Sequence, residues 1–359
     1  MKIIIKNIFS KTLYIFFSYL SLIIFFFSTT KVIGKAFDIN DIDISSPFEI
    51  NFDKNEVIDE GFEKAFDELL SIIINSKDKK KINQIKLNEI KGMIESFSIK
   101  EEKFINEIYN VNFGVSFNKK KVFKYLEKKN IFPSIPINNK FLFIPVIIDE
   151  NKKDLLIFDN NKIFDEWNNF IKKTHLIEYV LPTEDLEDLN LIKKEYGNIE
   201  NYNFKEIINK YYLEDSIVAL IFKNETTVRV LSKISIKDNV ILKNQSFENV
   251  DLNDEKKIEN LIDELKIIYE DFWKESNQIN TSIKLILNIK IDSSNNLKIS
   301  NFEEVLNQTD LVYDFNISKF DKDYIYYKVI FNGTPNIFLK DMKKKKYKID
   351  TRNKIWVIK

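Results

Sequence analysis

An uncharged apolar run, residues 12–30, follows Lys2, Lys6 and Lys11 near the amino terminus. A positively charged start followed by an apolar core is the layout of a secretory signal. The chain of 359 residues contains no cysteine, so disulfides cannot stabilise an exported fold. Together these features predict a chain that leaves the cytoplasm and owes its stability to the burial of apolar side chains.

The fate of the apolar run has two interpretations. Gly34 and Ala36 stand three and one residues before a possible cleavage site, which would give a mature chain that begins near Phe37. The alternative is an uncleaved anchor, because a run of this length can span a hydrocarbon core of roughly 30 Å. Both predict that residues 37–359 face the periplasm, either free or anchored in the inner membrane. Membrane contact is expected through residues 12–30.

Composition narrows the classes of function. Lys+Arg and Asp+Glu number 55 each, so no net charge favours nucleic acid, and we expect none as a partner. A hydrophobic fraction of 44% and a charged fraction of 31% predict a folded chain. Zero cysteines, one histidine and 6 glycines exclude thiol chemistry and leave little material for phosphate-binding loops. Export also disfavours ATP- or NAD-dependent chemistry, so we expect no cofactor.

The first module is predicted over residues 37–134. A polar stretch, 38–46, leads to a predicted strand at 48–52, and helices are predicted at 57–74 and near 87–97. The first helix carries one apolar face at helical spacing: Ile58, Phe62, Phe66, Leu69 and Ile73. A strand is predicted at 104–117 from strict alternation: Tyr109, Val111, Phe113, Val115 and Phe117. A helix around Val122, Tyr125 and Leu126 precedes a boundary at Pro133 and Pro136.

The central domain is predicted over residues 135–279. Its first strand, 141–148, is almost wholly apolar, as in strands buried on both faces. Pro145 lies within it and predicts a bulge or an edge position. The next predicted elements alternate between helices at 163–171 and 204–212 and strands at 176–181 and 216–222, which favours a mixed sheet covered by helices. A hairpin of strands at 228–236 and 240–242, turning at Asp238 and Asn239, and a long amphipathic helix over 258–272 complete the domain.

The last module, 280–359, is predicted to follow the order βαββαβ, which is the ferredoxin-like pattern. Thr334 is expected to cap its second helix and Pro335 to occupy the first turn. The end of its third strand, Val329-Ile-Phe-Asn, is similar to Val115-Ser-Phe-Asn in the first module. The predicted fold class is therefore α/β (α+β): several small strand-helix modules with mixed sheets, after an N-terminal signal or anchor at 1–36.

Several segments in order carry a family resemblance. They are 63–70 (EKAFDELL), the strand and helix over 115–126, the stretch 132–145, and 181–188 (LPTEDLED), the most specific of them. This succession resembles the bacterial domain of unknown function 2066 family, which comprises uncharacterised envelope proteins. At Asn139 and Lys140 the chain departs from the Arg-Pro pair typical of that family. The resemblance implies an envelope location and an α/β fold, and it implies no reaction.

Four carboxylates in the loop after the 176–181 strand are the candidate site: Glu184, Asp185, Glu187 and Asp188. Oxygen ligands suit Ca²⁺, although the spacing differs from that of an EF-hand. The competing interpretation is that Thr183 or Asp185 caps the next helix and that the other acids favour its positive end. No catalytic residue and no cofactor-binding residue is predicted.

Other polar residues have structural interpretations beside functional ones. His175, the sole histidine, lacks the sequence context of a nucleophile and is predicted to lie on the surface. The lysines at 343–346 and 348 could touch anionic lipid at about 1 kcal/mol each, or they could complement a helix C-terminus. Trp167, Trp273 and Trp356 are expected to be buried or partly buried.

These observations lead to two hypotheses. The first is a non-enzymatic envelope protein that binds a protein partner or scaffolds an assembly. The alternative is an envelope hydrolase, or a ligand- or Ca²⁺-binding protein, that uses the acidic loop at 184–188.

Overall fold

In the computed structural model of this protein, the main compact unit is Ala36–Lys359. The structure describes residues 37–82, 84–158, 161–224, 227–237 and 239–359. The predicted signal or anchor at 1–36 lies outside these residues. Among the described helices, none combines the length and the apolar content needed to cross a membrane.

The fold is mixed α/β, as the sequence predicts, and the described residues form three sheets. The first sheet, in strand order β1-β3-β2, consists of β1 (Asp38–Pro47), β2 (Ile94–Ile105) and β3 (Ile108–Phe117), all antiparallel. Its helices are α1 (Lys54–Ile73), α2 (Ser76–Lys79), α3 (Leu87–Met93) and α4 (Lys119–Lys128). The predicted alternation in β3 is confirmed, because its odd-numbered residues from Tyr109 to Phe117 are buried.

One prediction in this module is wrong and another is confirmed only in part. No strand forms at 48–52. The strand is β1, which lies earlier in the chain, in the stretch interpreted as polar. A register shift between Ile39 and Ile42, with Asp41 at φ 57°, interrupts the alternation that would have marked β1 as a strand. The helix expected at 87–97 ends at Met93, and β2 follows directly. Nearly all side chains of β2 are exposed, so β2 lacks an apolar signature.

The strand expected at 104–117 is a hairpin. Asn106 and Glu107 have φ values of 51° and 61° and form the turn between β2 and β3. Positive φ at both central residues is the geometry of the tight turns that join antiparallel strands. Neither residue is glycine, so no glycine marks this turn in the sequence.

The second sheet has the order β5-β4-β7-β8-β9, with β6 also paired to β4. Its strands are β4 (Asn139–Asp149), β5 (Asp154–Leu156), β6 (Ile177–Val180), β7 (Asp215–Lys223), β8 (Thr227–Ile236) and β9 (Asn239–Glu248). Its helices are α5 (Lys162–Glu166), α6 (Leu186–Lys194), α7 (Lys205–Asn209) and α8 (Glu255–Ser276). β4 is parallel to β6 and β7, and the other pairs are antiparallel, so the predicted mixed sheet is confirmed.

Differences in this region concern element length. The helix expected at 163–171 is α5 followed by a 3-10 turn at Trp167–Asn169, and the helix expected at 204–212 shortens to α7. β9 extends to Glu248, because it pairs with β8 along its whole length although its side chains are mostly exposed. Asp238, in the predicted hairpin turn, lies outside the described residues.

Pro145 occupies a local edge of β4. β4 pairs with β7 from Phe141 to Asp149 without a register shift, so the bulge alternative is wrong there. On its other side, β4 pairs with β6 up to Leu142 and with β5 from Ile147 onward. Pro145 falls in the gap, where its carbonyl oxygen accepts a hydrogen bond from Asn161 Nδ2 at 3.0 Å. The missing N–H of proline therefore costs no ladder bond.

The third sheet has the order β11-β12-β10-β14-β13. Its elements are β10 (Leu285–Asp292), α9 (Asn296–Gln308), β11 (Val312–Phe320), β12 (Tyr324–Phe331), α10 (Pro335–Lys344), β13 (Ile349–Asp350) and β14 (Trp356–Ile358). Only β13 was not predicted. The predicted order βαββαβ is confirmed, with β13 inserted before the last strand, and β12 is antiparallel to both β10 and β11. β14 is parallel to β10, whereas the last strand of a ferredoxin-like sheet is antiparallel to the first, so the unit departs from that pattern at its final strand. Thr334 caps α10 by accepting from the N–H of Ile337, as expected.

The first module repeats the path of the third. In both, strand order is second-third-first, with β2-β3-β1 in one and β11-β12-β10 in the other. Asn118 and Asn332 follow the third strand at equivalent places, so the similarity between Val115-Ser-Phe-Asn and Val329-Ile-Phe-Asn falls on matching positions. The first module lacks a counterpart of β14 among the described residues.

The apolar core is divided unequally among these units. Helix α1, sheet β1–β3 and the β10–β14 unit share one continuous cluster, which includes Phe66, Phe113, Phe302 and Phe331. The central sheet has a second cluster under α8 and a third on its opposite face. The domain boundaries at 134/135 and 279/280 remain predictions, whereas the shared cluster is a property of the packed chain.

Candidate functional site

The acidic loop begins helix α6. Asp185 is its N-cap and accepts hydrogen bonds from the main-chain N–H groups of Glu187 at 2.8 Å and Asp188 at 3.4 Å. These bonds satisfy two donors that a helix start otherwise leaves unpaired. The capping interpretation is therefore confirmed for Asp185, while Thr183 N–H and hydroxyl instead contact the hydroxyl of Tyr211.

Lys210 lies against the two inner carboxylates of this loop. Its Nζ is 2.6 Å from Asp188 Oδ1 and 3.0 Å from Asp185 Oδ2. The hydrogen bonds to Asp188 and then Asp185 raise the pKa of Lys210, and Lys210 lowers the pKa of Asp185. An ammonium group thus takes the position between the carboxylates that a bound cation would need.

The other two acids point elsewhere. Glu184 and Glu187 are exposed, whereas Asp188 is buried at 1% exposure. Asp188 Oδ2 has no hydrogen-bond partner among the described residues. Across the described ranges, no group of three or more His, Cys, Asp or Glu side chains is arranged to hold a metal ion. The loop geometry is that of a helix start neutralised by one lysine.

His175 lies in a cavity, not on the open surface as predicted. It is half-buried, and its Nδ1 accepts a hydrogen bond from the N–H of Lys172 at 3.2 Å. Burial, followed by the nearby charges of Lys266 and Lys172, lowers the pKa of His175 to about 4. The imidazole is therefore neutral over the physiological range. The prediction did not anticipate that the ring lines a cavity together with residues of α8.

The cavity has a volume of about 280 Å³ and lies between the end of α1, the segment 172–175 and helix α8. Its polar lining includes His175, Glu270, Asp271 and Lys274. Asp271 binds both the N–H of Ser76, at 2.9 Å, and the Ser76 hydroxyl. The cavity therefore contains acids and bases, and its chemistry depends on which of them are free.

Glu270 is committed to the main chain. Its carboxylate accepts from the N–H of Leu176 at 3.0 Å and from that of Ile177 at 2.9 Å, at the start of β6. Burial raises its pKa, and these two N–H groups oppose the shift. The carboxylate therefore substitutes for a ladder partner at the edge of the central sheet.

Two buried lysines of α8 are committed in the same way. Lys266 donates to the carbonyl oxygens of Trp167 at 2.6 Å and Phe170 at 2.7 Å. Lys274 donates to the carbonyl oxygen of Ser71 at 2.5 Å. Burial lowers the pKa of both, to about 8 for Lys266. These hydrogen bonds connect α8 to the surrounding loops. Glu270, Lys266 and Lys274 all bond to the main chain, so none of the three is free to act as an acid or base toward a ligand.

Sequence reasoning missed this cluster, although a signal exists. Lys266, Glu270 and Lys274 are spaced four apart, each one residue after a buried apolar position of α8. That spacing places them on one helix face at the margin of the apolar stripe. The usual interpretation of such a row is a solvated face, and only the packing of the 167–177 segment over α8 buries it.

The remaining residues singled out by sequence have structural places. The lysines from Lys343 to Lys346 are exposed at the carboxyl end of α10, where cations complement the helix dipole. Trp167 and Trp273 are buried and Trp356 is half-buried, as expected.

An apolar patch covers the tip of the β2–β3 hairpin. We call it the hairpin tip and define it by five exposed side chains: Phe48, Ile50, Phe104, Ile105 and Ile108. Ile50 is fully exposed, and the others are between 41% and 58% exposed. The Phe48 ring packs edge-on against Phe104 at 5.1 Å, and the N–H of Phe48 donates to the carbonyl oxygen of Glu107. These contacts join Phe48 to Phe104, and Ile105 lies opposite Ile108 on the other face of the same hairpin.

Comparisons with known proteins leave the family open. No protein-family model matches the chain, and no curated protein matches it. One similar solved structure is described as "Crystal structure of uncharacterized protein". The alignment covers 40% of this chain and 95% of that one, at 6% identity and a TM-score of 0.16. So low a TM-score carries no argument about fold or function, and the resemblance to the domain of unknown function 2066 family remains a prediction.

Proposed function

We propose that this chain is a non-enzymatic protein-binding module of the bacterial cell envelope, related to the domain of unknown function 2066 family. The observation that carries the proposal is the hairpin tip. Five large apolar side chains are exposed around this one turn, and clustered exposure of apolar side chains marks sites of protein interaction. The export layout of residues 1–36 supports an envelope location, where the partner would reside.

The rim of the hairpin tip favours a protein over a membrane. Glu49 and Glu107 flank the apolar side chains, and both are exposed. Acidic residues at this position would be repelled by the anionic headgroups of bacterial lipids. A protein surface with an apolar centre and basic residues around it complements both parts of the patch.

The enzyme and Ca²⁺-binding alternatives receive less support. Asp185 and Asp188 are engaged by helix capping and by Lys210. Glu270, the most deeply placed acid of the cavity, is engaged by main-chain N–H groups. A general acid-base pair would need a group free to exchange a proton with a substrate.

Site-specific photo-crosslinking in cells tests the proposal. A photoreactive residue at position 50 should capture a discrete protein, and the same residue at position 297 should not. Leu297 is the matched control because it is 72% exposed on α9, outside the patch. Adding Ile108→Asn to the position-50 probe should abolish capture. Absence of a discrete product, or pelleting of the purified chain with anionic vesicles through the same side chains, would contradict the proposal.

A further inference from the structure

The outer edge of β2 is open along a whole strand. β2 is the last strand in the order β1-β3-β2, and among the described residues no strand pairs with its far side. It is twelve residues long, and from Glu95 to Ile105 every side chain is exposed. It contains no proline, so each residue keeps its N–H donor. An edge of this kind is a template for another strand.

The opposite edge of the same sheet is protected. In β1, a register shift follows Ile39, and Lys173 Nζ donates to the carbonyl oxygen of Asp41 at 3.0 Å. Lys64 Nζ donates to the carbonyl oxygen of Asp43 at 2.8 Å, and Pro47 has no N–H. Bulges, lysines and proline are the features by which native edge strands avoid pairing. β2 also contains register shifts and two lysines, Lys100 and Lys103, but it contains no proline. The lysine bonds to its carbonyl oxygens and the missing N–H of Pro47 therefore make β1 the less available edge, and an added strand is expected at β2.

The pairing of β3 fixes which groups of β2 are free. The N–H of Phe48 donates to the carbonyl oxygen of Glu107, and the N–H of Phe117 donates to the carbonyl oxygen of Phe37, each at 2.8 Å. Both Glu107 and Phe117 have odd numbers, so the main-chain groups of the odd-numbered residues of β3 point toward β1. The even-numbered residues of β3 therefore bond toward β2, because hydrogen bonds alternate along an antiparallel strand. Their partners on β2 include Ser98, opposite Gly114, and Lys103, opposite Asn110.

The alternate residues of β2 bond outward. On this pattern the main-chain groups of Phe97, Ile99, Glu102 and Phe104 point away from β3 toward the open edge. The strand has one extra residue between Ile99 and Glu101. A partner strand must therefore carry the same irregularity at the same place to stay in step.

A second β2 satisfies this condition. When two β2 strands run antiparallel about a two-fold axis between Lys100 and Glu101, Phe97 lies opposite Phe104 of the second copy and Ile99 lies opposite Glu102. All four residues bond outward, so both are hydrogen-bonded pairs. The extra residue of each strand, Lys100, then lies beside the axis and opposite Glu101 of the second copy.

Side chains complement each other in the same register. The Phe97 ring contacts Phe62 at 5.1 Å, and the Phe104 ring contacts Phe48 at 5.1 Å, so both lie on the α1 side of the sheet. They are 47% and 58% exposed, and mutual contact would cover them. Lys100 faces Glu101 of the second copy on each side of the axis. In the monomer these charges form only exposed ion pairs, Lys100 with Asp41 and Glu101 with Lys103, which exchange at little cost.

We propose that the open edge of β2 pairs with the β2 edge of a second copy of this chain, antiparallel, in the register that sets Phe97 opposite Phe104 and Lys100 opposite Glu101. This pairing goes beyond the proposed function and does not depend on a partner at the hairpin tip. It joins two three-stranded sheets into one continuous sheet.

Cysteine mixing tests the register, because the natural chain contains no cysteine. Ser98 and Lys103 are opposite each other in the proposed dimer and form a non-hydrogen-bonded pair, with Cα atoms roughly 4.5 Å apart. That separation permits a disulfide. An equimolar mixture of full-length S98C and K103C should therefore form a crosslinked dimer under mild oxidation, whereas each variant alone should not. A crosslink formed by either variant alone, or none in the mixture, would overturn the register.

Charge reversal tests the pairing without cysteines. Either K100E or E101K sets like charges opposite each other twice, which should weaken the dimer about tenfold in sedimentation experiments. The double variant K100E/E101K restores opposite charges and should recover the dimer. A purified chain that stays monomeric at every concentration, or single variants that dimerise like the natural chain, would refute self-pairing and leave the photo-crosslinking result at position 50 unaffected.

Discussion

The carboxylate of Glu270 and the main-chain N–H of Ile177 are 2.9 Å apart, a hydrogen bond that joins helix α8 to the first residue of β6. A second N–H, that of Leu176, donates to the same carboxylate. Helix α8 thereby completes the edge of a parallel strand that has no strand partner on that side. The stability of the central domain should depend on this single acid.

Replacing Glu270 by alanine should lower the free energy of unfolding by about 2–4 kcal/mol, because two buried N–H donors lose their acceptor. Urea unfolding followed by circular dichroism measures the change. Glu264→Ala, on the exposed face of the same helix, is the matched control and should cost less than about 0.5 kcal/mol. Equal effects of the two substitutions would contradict the assigned role of Glu270.

The pH dependence of stability should report on Lys266. Its pKa is about 8 in the folded state and about 10.5 when exposed, so between these values the unfolded chain binds more protons. The free energy of unfolding should therefore rise as the pH increases from 8 to 10.5, by up to about 3 kcal/mol from this group. Lys266→Met should flatten that rise.

In the Lys266→Met variant, the free energy of unfolding should still rise somewhat with pH above 8. Burial also lowers the pKa of Lys119 to about 8, where its Nζ donates to the carbonyl oxygen of Thr309. Lys119→Met should remove this second contribution. A slope that is the same in the natural chain and in Lys266→Met would show that Lys266 keeps its ordinary pKa.

His175 should make the protein sensitive to acid. Its pKa is about 4 in the folded state and 6.5 in the unfolded state, so the unfolded chain binds more protons between these values. Stability from this group is present above pH 6.5 and is lost as the pH falls toward 4. His175→Gln should reduce the acid dependence over that window relative to the natural chain. An unchanged dependence would place the imidazole in solvent.

Gly61 in α1 should not tolerate a methyl group. A Cβ built there would lie 1.6 Å from Phe113 Cζ, so Gly61→Ala should destabilise the protein by about 1–3 kcal/mol despite the better helix propensity of alanine. Gly92 in α3 is the control, because a Cβ there meets nothing within 4 Å. Gly92→Ala should stabilise by up to about 1 kcal/mol. Thermal unfolding of both variants would refute the contact if they shifted in the same direction.

Substitutions at Asp185 should follow its capping role. Asp185→Asn keeps an oxygen that accepts from the N–H of Glu187, whereas Asp185→Ala removes it. The expected order of stability is natural chain, then Asn, then Ala, in urea unfolding. Calorimetric titration with Ca²⁺ should give no binding heat for any of the three at millimolar metal. Binding by the natural chain that Asp185→Asn abolishes would restore the metal interpretation.

Sequence patterns predicted the elements whose burial is one-sided or complete. The alternation of β3 and the stripe of α8 each follow from burial on one face, and the apolar run of β4 follows from burial on both faces. Sequence patterns did not predict β1 and β2. A register shift in β1 and the exposed side chains of β2 remove the alternation of apolar and polar residues that marks a strand. Pairing with β3 creates those strands, and such long-range pairing leaves no local trace.

The candidate site shows the same division. Asp185 as a helix cap follows from the sequence, because capping is local. The cavity around His175 does not, because it exists only where residues 71–76, 172–175 and α8 meet. Lys210, which neutralises Asp188, is twenty-two residues away from it in the chain.

The cluster shared by the first and third sheets also bears on the order of folding. Lys119 reaches Thr309, and Lys120 forms an ion pair with Asp314, so the outer face of α4 meets a strand 190 or more positions later. Contacts of such separation are slow to form, because a long loop must close first. The central domain can complete its own two cores in the meantime. Folding chains should therefore pass through an intermediate in which the central domain is native and the first module is incomplete. Aggregation through exposed apolar side chains should be fastest in that intermediate.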